Sequence, residues 1–292
     1  MSTTVPAPTQ AHGRPQAEPT SEPDAVRAGL IGLTVVLLIV LLLLPLVVVF
    51  FEALSRGAGA VLRALRDPES LTAIRLTMIV AAISVPLNTV CGIAGSWCIS
   101  RFRFAGRGLL MTIIELPLSV SPVVSGLVWV LLFGANGWLG PTLERHGLRV
   151  IFATPGIVLA TMFVTFPFVA RTLIPLMQEQ GASEEEAALT LGANGWQTFR
   201  RVTLPNIQWG LLYGVLLCNA RAMGEFGAVS VVSGHIRGQT MTMPLQVEAL
   251  FNDYDWVGAF TIAGLLSLLA LVTLLVKLVL ERRVGRHGGG LL

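Results

Sequence analysis

Charged residues are absent from six long stretches of the chain, and these stretches predict its architecture. The charge-free stretches cover residues 28–51, 76–100, 116–143, 150–170, 202–220 and 256–276, and each has 19 residues or more. A helix of about 20 apolar residues crosses the hydrocarbon core of a bilayer. The pattern therefore predicts an all-α integral membrane protein with six transmembrane helices.

The residues that flank each apolar run set the limits of the predicted spans. We call them spans one to six and place them at about residues 30–51, 71–100, 109–133, 151–175, 207–231 and 256–280. Residues 70–280 form the predicted transmembrane domain, which holds spans two to six. Residues 1–29 are rich in Pro, Thr and Gln, a composition typical of a disordered tail, and residues 281–292 form a second tail.

Composition excludes several classes of protein. Hydrophobic residues make up 53% of the chain and charged residues only 13%, about half the charged fraction of a soluble protein. A soluble enzyme, a disulfide-rich secreted domain and a DNA-binding module are therefore excluded for the whole chain. The three cysteines and four histidines do not have metal-ligand spacing, so we expect packing cysteines, no metal and no cofactor.

The net charge of +3 reflects topology rather than affinity for nucleic acid. Twelve Arg and Lys residues lie on the side of the two termini, and seven lie on the other side. Because cytoplasmic loops carry an excess of Arg and Lys, we expect both termini in the cytoplasm of a multi-pass cell-membrane protein. Its non-protein partner is membrane lipid.

The loop between spans four and five, residues 180–205, differs from the other loops. Ser183 and Glu186 have the spacing of a capping box and predict a helix over residues 184–191. Gly192 predicts the end of that helix, and a second short helix is expected from about Trp196 to Val202, ending at Pro205. Two short helices around a glycine elbow would form a stiff cytoplasmic knob joined to both spans.

The spacing within this loop closely resembles the EAA loop of permease subunits of bacterial ABC importers. That pattern has Glu-Ala-Ala, three residues, Gly, nine residues and Ile-x-Leu-Pro. The matching residues are Glu186, Ala187, Ala188, Gly192 and, with Val in place of Ile, Val202-Thr203-Leu204-Pro205.

The resemblance implies a type I ABC importer permease fold with a cytoplasmic pair of coupling helices. It implies that Glu186, Ala187, Ala188, Gly192, Leu204 and Pro205 couple the spans to two copies of a separate ATP-binding subunit. In agreement, a P-loop needs a lysine after glycine, and the only lysine, Lys277, follows Leu-Leu-Val. The chain is thus expected to be a transport subunit and not itself an ATPase.

Span five carries two charges, Arg221 and Glu225, four residues apart on one helical face. Charges at this depth are costly and mark functional sites by default. They either form a structural ion pair, or Arg221 borders a translocation pathway and attracts an anion while Glu225 holds it in place. Gly224 and Gly227 would permit a close helix approach or a local break.

The run from Ala220 to Gly238 resembles the sulfate/thiosulfate permeases, and within them the second of the two permease subunits, the CysW type. The resemblance covers about residues 70–280. It implies a paralogous permease subunit and a soluble sulfate-binding protein as partners. His235 and Arg237, just outside span five, would receive the oxyanion, or would merely cap a helix end or face lipid headgroups.

Three functions remain open at this stage. The first is one half of the pore of an ATP-driven sulfate/thiosulfate importer, with molybdate or another oxyanion as the alternative cargo. The second is a proton-coupled anion transporter, since a charged pair in a span can relay protons. The third is a membrane enzyme, which would need a nucleophile, base or metal set that these residues do not assemble.

Overall fold

The computed structural model describes residues 24–287, and over that range the chain is helical with no strand. A π-helical turn at Phe199–Thr203 precedes helix α11. The helices are α1 Asp24–Leu54, α2 Ala58–Arg66, α3 Pro68–Arg101, α4 Arg107–Ser119, α5 Pro122–Phe133, α6 Gly140–Arg145, α7 Thr154–Thr165, α8 Pro167–Gln180, α9 Ser183–Thr190, α10 Gly195–Thr198, α11 Leu204–Met223, α12 Gly227–Ser233, α13 Met243–Asn252 and α14 Trp256–His287.

Both terminal boundaries differ from the sequence prediction. Helix α1 begins at Asp24, inside the predicted tail, because Ala25, Arg27 and Ala28 are good helix formers. Residues 1–23 of that tail lie outside the described residues. Helix α14 continues through residues 281–287, since Glu281 and the following arginines are good helix formers.

The chain divides into two compact units, residues 1–47 and 48–292. Within the first, the described residues form the greater part of α1, an apolar helix that contains Pro45. The second unit contains all the other helices and the buried core.

Four segments are long and apolar enough to cross a membrane as they stand, and two more do so as bent pairs. The continuous segments are Ala25–Leu54, Pro68–Arg101, Thr154–Gln180 and Trp256–Val279. The bent pairs are Arg107–Ser119 with Pro122–Phe133, and Gly195–Met223 with Gly227–Ser233. Together they correspond to the six predicted spans.

Span three is not the single helix that the sequence predicts. The chain turns by 108° between α4 and α5. Ser121 has an extended ψ of 132°, because the ring of the following Pro122 disfavours the helical conformation in the residue before it. Hydropathy does not reveal the bend, since the residues on both sides of it are apolar.

Small and polar residues at every fourth position of α3 face span four. Gly92 belongs to this row, and a Cβ atom there would lie 2.7 Å from Cγ1 of Val169. The row donates side-chain hydrogen bonds to backbone carbonyls from Ser84 to Val158 (3.4 Å), Asn88 to Met162 (3.0 Å), Ser96 to Ala170 (3.4 Å) and Ser100 to Ile174 (3.5 Å). Small residues and interhelical hydrogen bonds hold membrane helices together in the absence of a hydrophobic driving force.

The two broken spans pack against each other through α5 and α12. A Cβ atom on Gly126 of α5 would lie 2.7 Å from the carbonyl oxygen of Ala228 in α12. A Cβ atom on Gly227 would lie 3.0 Å from Cβ of Pro122. Glycine at these two positions therefore permits the backbones of α5 and α12 to approach closely.

We predict that Gly92→Ala destabilises the protein by about 1–3 kcal/mol, because the added methyl group overpacks the contact between α3 and α8. Gly95→Ala on the same helix is the matched control, since its Cβ would meet only Ile114 Cδ1, at 3.4 Å. Thermal unfolding of the detergent-purified protein measures both. Equal melting temperatures for the two variants would contradict the packing of α3 described here.

Candidate coupling segment and charged break in span five

Residues 183–205, which we call the coupling segment, contain the two short helices expected from the sequence. Helix α9 ends at Thr190, and Gly192 follows with a φ of +88°. This left-handed conformation is favourable for glycine and strained for most other residues. The glycine elbow therefore lies where the sequence placed it.

The capping box lies at a different position from the predicted one. Ser183 is already the first residue of α9, preceded by Ala182, and its side chain makes no capping bond. Instead, Asn194 caps α10: its Oδ1 accepts from the backbone N–H of Gln197, and Oε1 of Gln197 accepts from the N–H of Asn194, each at 2.9 Å. The second helix is thus the one with the satisfied amino terminus.

The second helix does not end at Pro205, as the sequence suggested, but continues into span five. Residues 195–223 form one helical segment. In the π-helical turn near the start of this segment, the N–H of Leu204 donates to the carbonyl of Phe199. Proline is tolerated in the first turn of a helix, and Pro205 is the second residue of α11. The knob is therefore a direct extension of span five.

Three consecutive glutamates of α9 have three different environments. Glu184 accepts a hydrogen bond from Nδ2 of Asn206. Glu185 lies 2.7 Å from Nε of Arg101 and accepts a hydrogen bond from the hydroxyl of Thr203 at 2.6 Å. The side chain of Glu186 is exposed and has no hydrogen bond or ion pair with the described residues.

Large apolar side chains accompany Glu186 on the surface of the coupling segment. Leu191 is 88% exposed and Trp196 is 69% exposed. Among the other residues predicted to act in coupling, Ala187 and Pro205 are exposed. Ala188 and Leu204 are half-buried. An exposed apolar patch of this kind is typical of a protein–protein contact.

The two charges of span five form an ion pair at the point where the span breaks. Helix α11 ends at Met223, α12 begins at Gly227, and the bend between them is 50°. Nη1 of Arg221 lies 2.7 Å from Oε2 of Glu225. Oε1 of Glu225 accepts a hydrogen bond from the N–H of Ala228 at 2.9 Å. The expected pairing and the local break permitted by the glycines are both present.

Exposure differs sharply between the two partners. The side chain of Glu225 is fully buried, whereas that of Arg221 is 35% exposed. About a third of the Arg221 side chain thus remains accessible, although the carboxylate that pairs with it is closed to solvent. This arrangement leaves Arg221 able to meet an anion without exposing Glu225.

His235 and Arg237 lie in the loop after α12, and no hydrogen bond or ion pair in the described residues links them to Arg221 or Glu225. Arg237 lies 2.5 Å from Asp253 and 3.9 Å from Glu69. The hydrogen bond with Asp253 raises the pKa of the Arg237 guanidinium. His235 lies 4.0 Å from Glu248. These acidic partners, which sequence reasoning did not identify, favour a structural role for the loop.

Among the described residues, no group of three His, Cys, Asp or Glu side chains is placed to hold a metal ion. Cys218 is buried between spans two, four and five, where its thiol donates to the carbonyl of Thr165 at 3.6 Å. Cys91 is exposed and Cys98 is partly buried.

We predict that Arg221→Met destabilises the protein by about 3 kcal/mol, because it leaves the buried carboxylate of Glu225 without a counter-charge. Arg221→Met/Glu225→Gln should recover most of that loss, since the amide oxygen is neutral and can still accept from Ala228. Thermal unfolding in detergent compares the two variants. If both unfold at the same temperature, the ion pair does not stabilise the break.

Comparison with known proteins places the chain in a family. The family model described as "Binding-protein-dependent transport system inner membrane component" matches residues 88–286. The Sulfate transport system permease protein CysW of Escherichia coli K12 is 54% identical over 255 residues, which are 87% of this chain and 88% of the relative. CysW of Synechocystis is 53% identical over 88% of this chain and 94% of the relative. The resemblance to the sulfate permeases is thereby confirmed.

Two further matches extend the comparison. The Sulfate transport system permease protein CysT of Escherichia coli K12 is 33% identical over 88% of this chain and 93% of the relative. A chain from the crystal structure of a bacterial alginate ABC transporter superposes with a TM-score of 0.74 at 18% identity, over 89% of this chain and 95% of that chain. This likeness confirms the type I permease fold. The chain belongs to the family of binding-protein-dependent transport system inner membrane components.

Proposed function

We propose that the chain is a permease subunit of an ATP-driven sulfate/thiosulfate importer, in which it forms half of the translocation pathway. The observation that carries the proposal is the 54% identity with a sulfate transport system permease protein over 87% of this chain. Identity of this extent covers the coupling segment and the charged break together. The chain contributes the path and the mechanical link, and a separate chain hydrolyses ATP.

The coupling segment is the proposed contact with the ATP-binding subunit. Glu186, Leu191 and Trp196 together offer a carboxylate and two apolar side chains to a partner. Gly192 fixes the angle between α9 and α10, so the shape of this surface depends on its left-handed conformation. Because residues 195–223 are one helix, force applied to the segment reaches span five directly.

Arg221 is the proposed anion-attracting residue of the pathway, and Glu225 is its positioning partner. A planar guanidinium donates several hydrogen bonds in a fixed fork, which suits the oxygens of a tetrahedral oxyanion. Exposure of about a third of Arg221, with Glu225 fully buried behind it, supports this division of roles.

The proposed assembly contains a paralogous permease subunit, two copies of an ATP-binding subunit and a soluble sulfate-binding protein. The 33% identity with a CysT permease supports the paralogous partner, since a second permease of the sulfate system is related to this chain. We place the chain in the bacterial inner membrane with both termini and the coupling segment in the cytoplasm, in accordance with its Arg and Lys distribution.

The test is uptake of labelled sulfate by a strain that lacks the gene and is complemented with variants. Wild type should restore uptake, and excess thiosulfate should compete. Gly192→Val should abolish most uptake, because the left-handed conformation costs a β-branched residue about 1–2 kcal/mol or more. Gly192→Asn, which tolerates that conformation, is the matched control. Immunoblots of the membrane fraction verify equal amounts of protein.

The same assay examines Arg221. Arg221→Met/Glu225→Gln, which keeps no buried charge, should reach the membrane but transport less than a tenth of the wild-type amount, a loss of about 1.4 kcal/mol or more. If molybdate alone competes for uptake, the cargo is molybdate and not sulfate, and the family assignment is unchanged. Normal transport by Gly192→Val would overturn the proposed role of the glycine elbow in coupling. Uptake that follows the proton gradient without ATP would overturn the ATP-driven mechanism.

A further inference from the structure

One ion pair connects the coupling segment to the ends of two other spans. Arg101 is the last residue of α3, and its Nε lies 2.7 Å from Oε2 of Glu185 in α9. Its Nη1 donates to the carbonyl of Met177 near the end of α8, also at 2.7 Å. The other oxygen of Glu185 accepts the hydroxyl proton of Thr203 at 2.6 Å. We call this set of four residues the span joint.

The span joint is withdrawn from solvent. The side chains of Arg101 and Glu185 are 10% and 13% exposed, and Thr203 is buried. Charge-assisted hydrogen bonds in such surroundings are stronger than neutral ones. Loss of one partner of a buried pair leaves an uncompensated charge. The joint is therefore stiff, unlike the exposed contact between Glu184 and Asn206.

The backbone connects α9 to its two neighbouring helices through glycines. Gly181 and Gly192 border α9 on its two sides, with φ values of +69° and +88°, and a Cβ atom at either position would meet no atom within 4 Å. Neither glycine has a side chain that could brace α9 against a neighbouring element. A push on α9 reaches α3 and α8 through Arg101 and Glu185 rather than through these glycines.

We propose that the span joint carries movement of α9 to spans two and four, and that Glu185 and Arg101 are positioning residues for the coupling of ATP hydrolysis to transport. Glu186 meets the ATP-binding subunit, whereas Glu185, about 100° further round the helix, contacts Arg101 and Thr203 and holds the spans. The inference rests on the proposed function, because it requires a separate ATPase that acts on the coupling segment.

The test uses the whole importer in liposomes, with this chain, its paralogous partner, the ATP-binding subunit and the binding protein. The variants are Glu185→Gln, Arg101→Met and the exchange Arg101→Glu/Glu185→Arg. Arg103→Met is the matched control, since Arg103 is exposed and forms no ion pair in the described part of the chain. The readouts are sulfate transported per ATP and stimulation of hydrolysis by the loaded binding protein.

We expect both single variants to assemble and to hydrolyse ATP. The number of sulfate ions transported per ATP should fall about tenfold, which corresponds to a typical coupling free energy between two sites. Hydrolysis should become insensitive to the binding protein. The exchange should restore part of both quantities, and Arg103→Met should match wild type. Rescue by exchange separates transmission through the ion pair from a loss of fold.

Unchanged sulfate per ATP in both single variants would overturn the proposal. So would equal losses of hydrolysis and uptake, or failure of all three variants to assemble, because each indicates a docking or structural role. Failure of the proposed function looks different: the wild-type complex itself moves no sulfate. In that case the joint is decided by the same ratio of transported ion to ATP, measured with the oxyanion that the wild-type complex does move and with the binding protein for it.

Discussion

The fully buried carboxylate of Glu225 constrains the structure around the break in span five. A fully buried charge needs a counter-charge and hydrogen bonds, and it finds them in Arg221 and in the N–H of Ala228. A backbone N–H is free to meet a side chain only in the first turn of a helix, so the span must break there and start again as α12. Helix α12 then lies against α5, which is the second half of the other bent span. The ion pair thus lies at the break of one span, which packs against a second bent span.

The part of the protein next to the coupling segment follows a different principle, in which polar contacts join helices side by side. The row of small and polar residues on α3 ties span two to span four along its length, and Arg101 terminates the row with a bond to Met177. Spans two and four therefore contact each other directly, independently of the coupling segment. A movement that arrives at Arg101 shifts this pair of spans as a unit, while Thr203 brings in span five.

The sequence predicts those features that depend on length, composition or short spacing. Six apolar stretches, the elbow at Gly192 and the contact of Arg221 with Glu225 all belong to this class. Hydropathy hides the bend before Pro122 because both flanks are apolar, although the proline itself marks a position where a helix can kink. The continuation through Pro205 depends on a π-helical turn that composition does not predict. The partnership of Arg101 and Glu185 joins distant parts of the chain, so no local pattern contains it. The four-residue spacing of Ser84, Asn88, Gly92, Ser96 and Ser100 was a readable signal for the face of α3.

Because the helical segment from Gly195 to Met223 is continuous, the number of residues in the coupling segment affects how that segment is oriented relative to span five. In a helix, each inserted or deleted residue rotates everything beyond it by about 100° and shifts it by about 1.5 Å. A single insertion between Trp196 and Thr203 would thus rotate the residues before it relative to Arg221, unless the π-helical turn at Phe199–Thr203 absorbed the extra residue. The direction in which Trp196 faces relative to Arg221 therefore depends on the number of residues between them as well as on their identity.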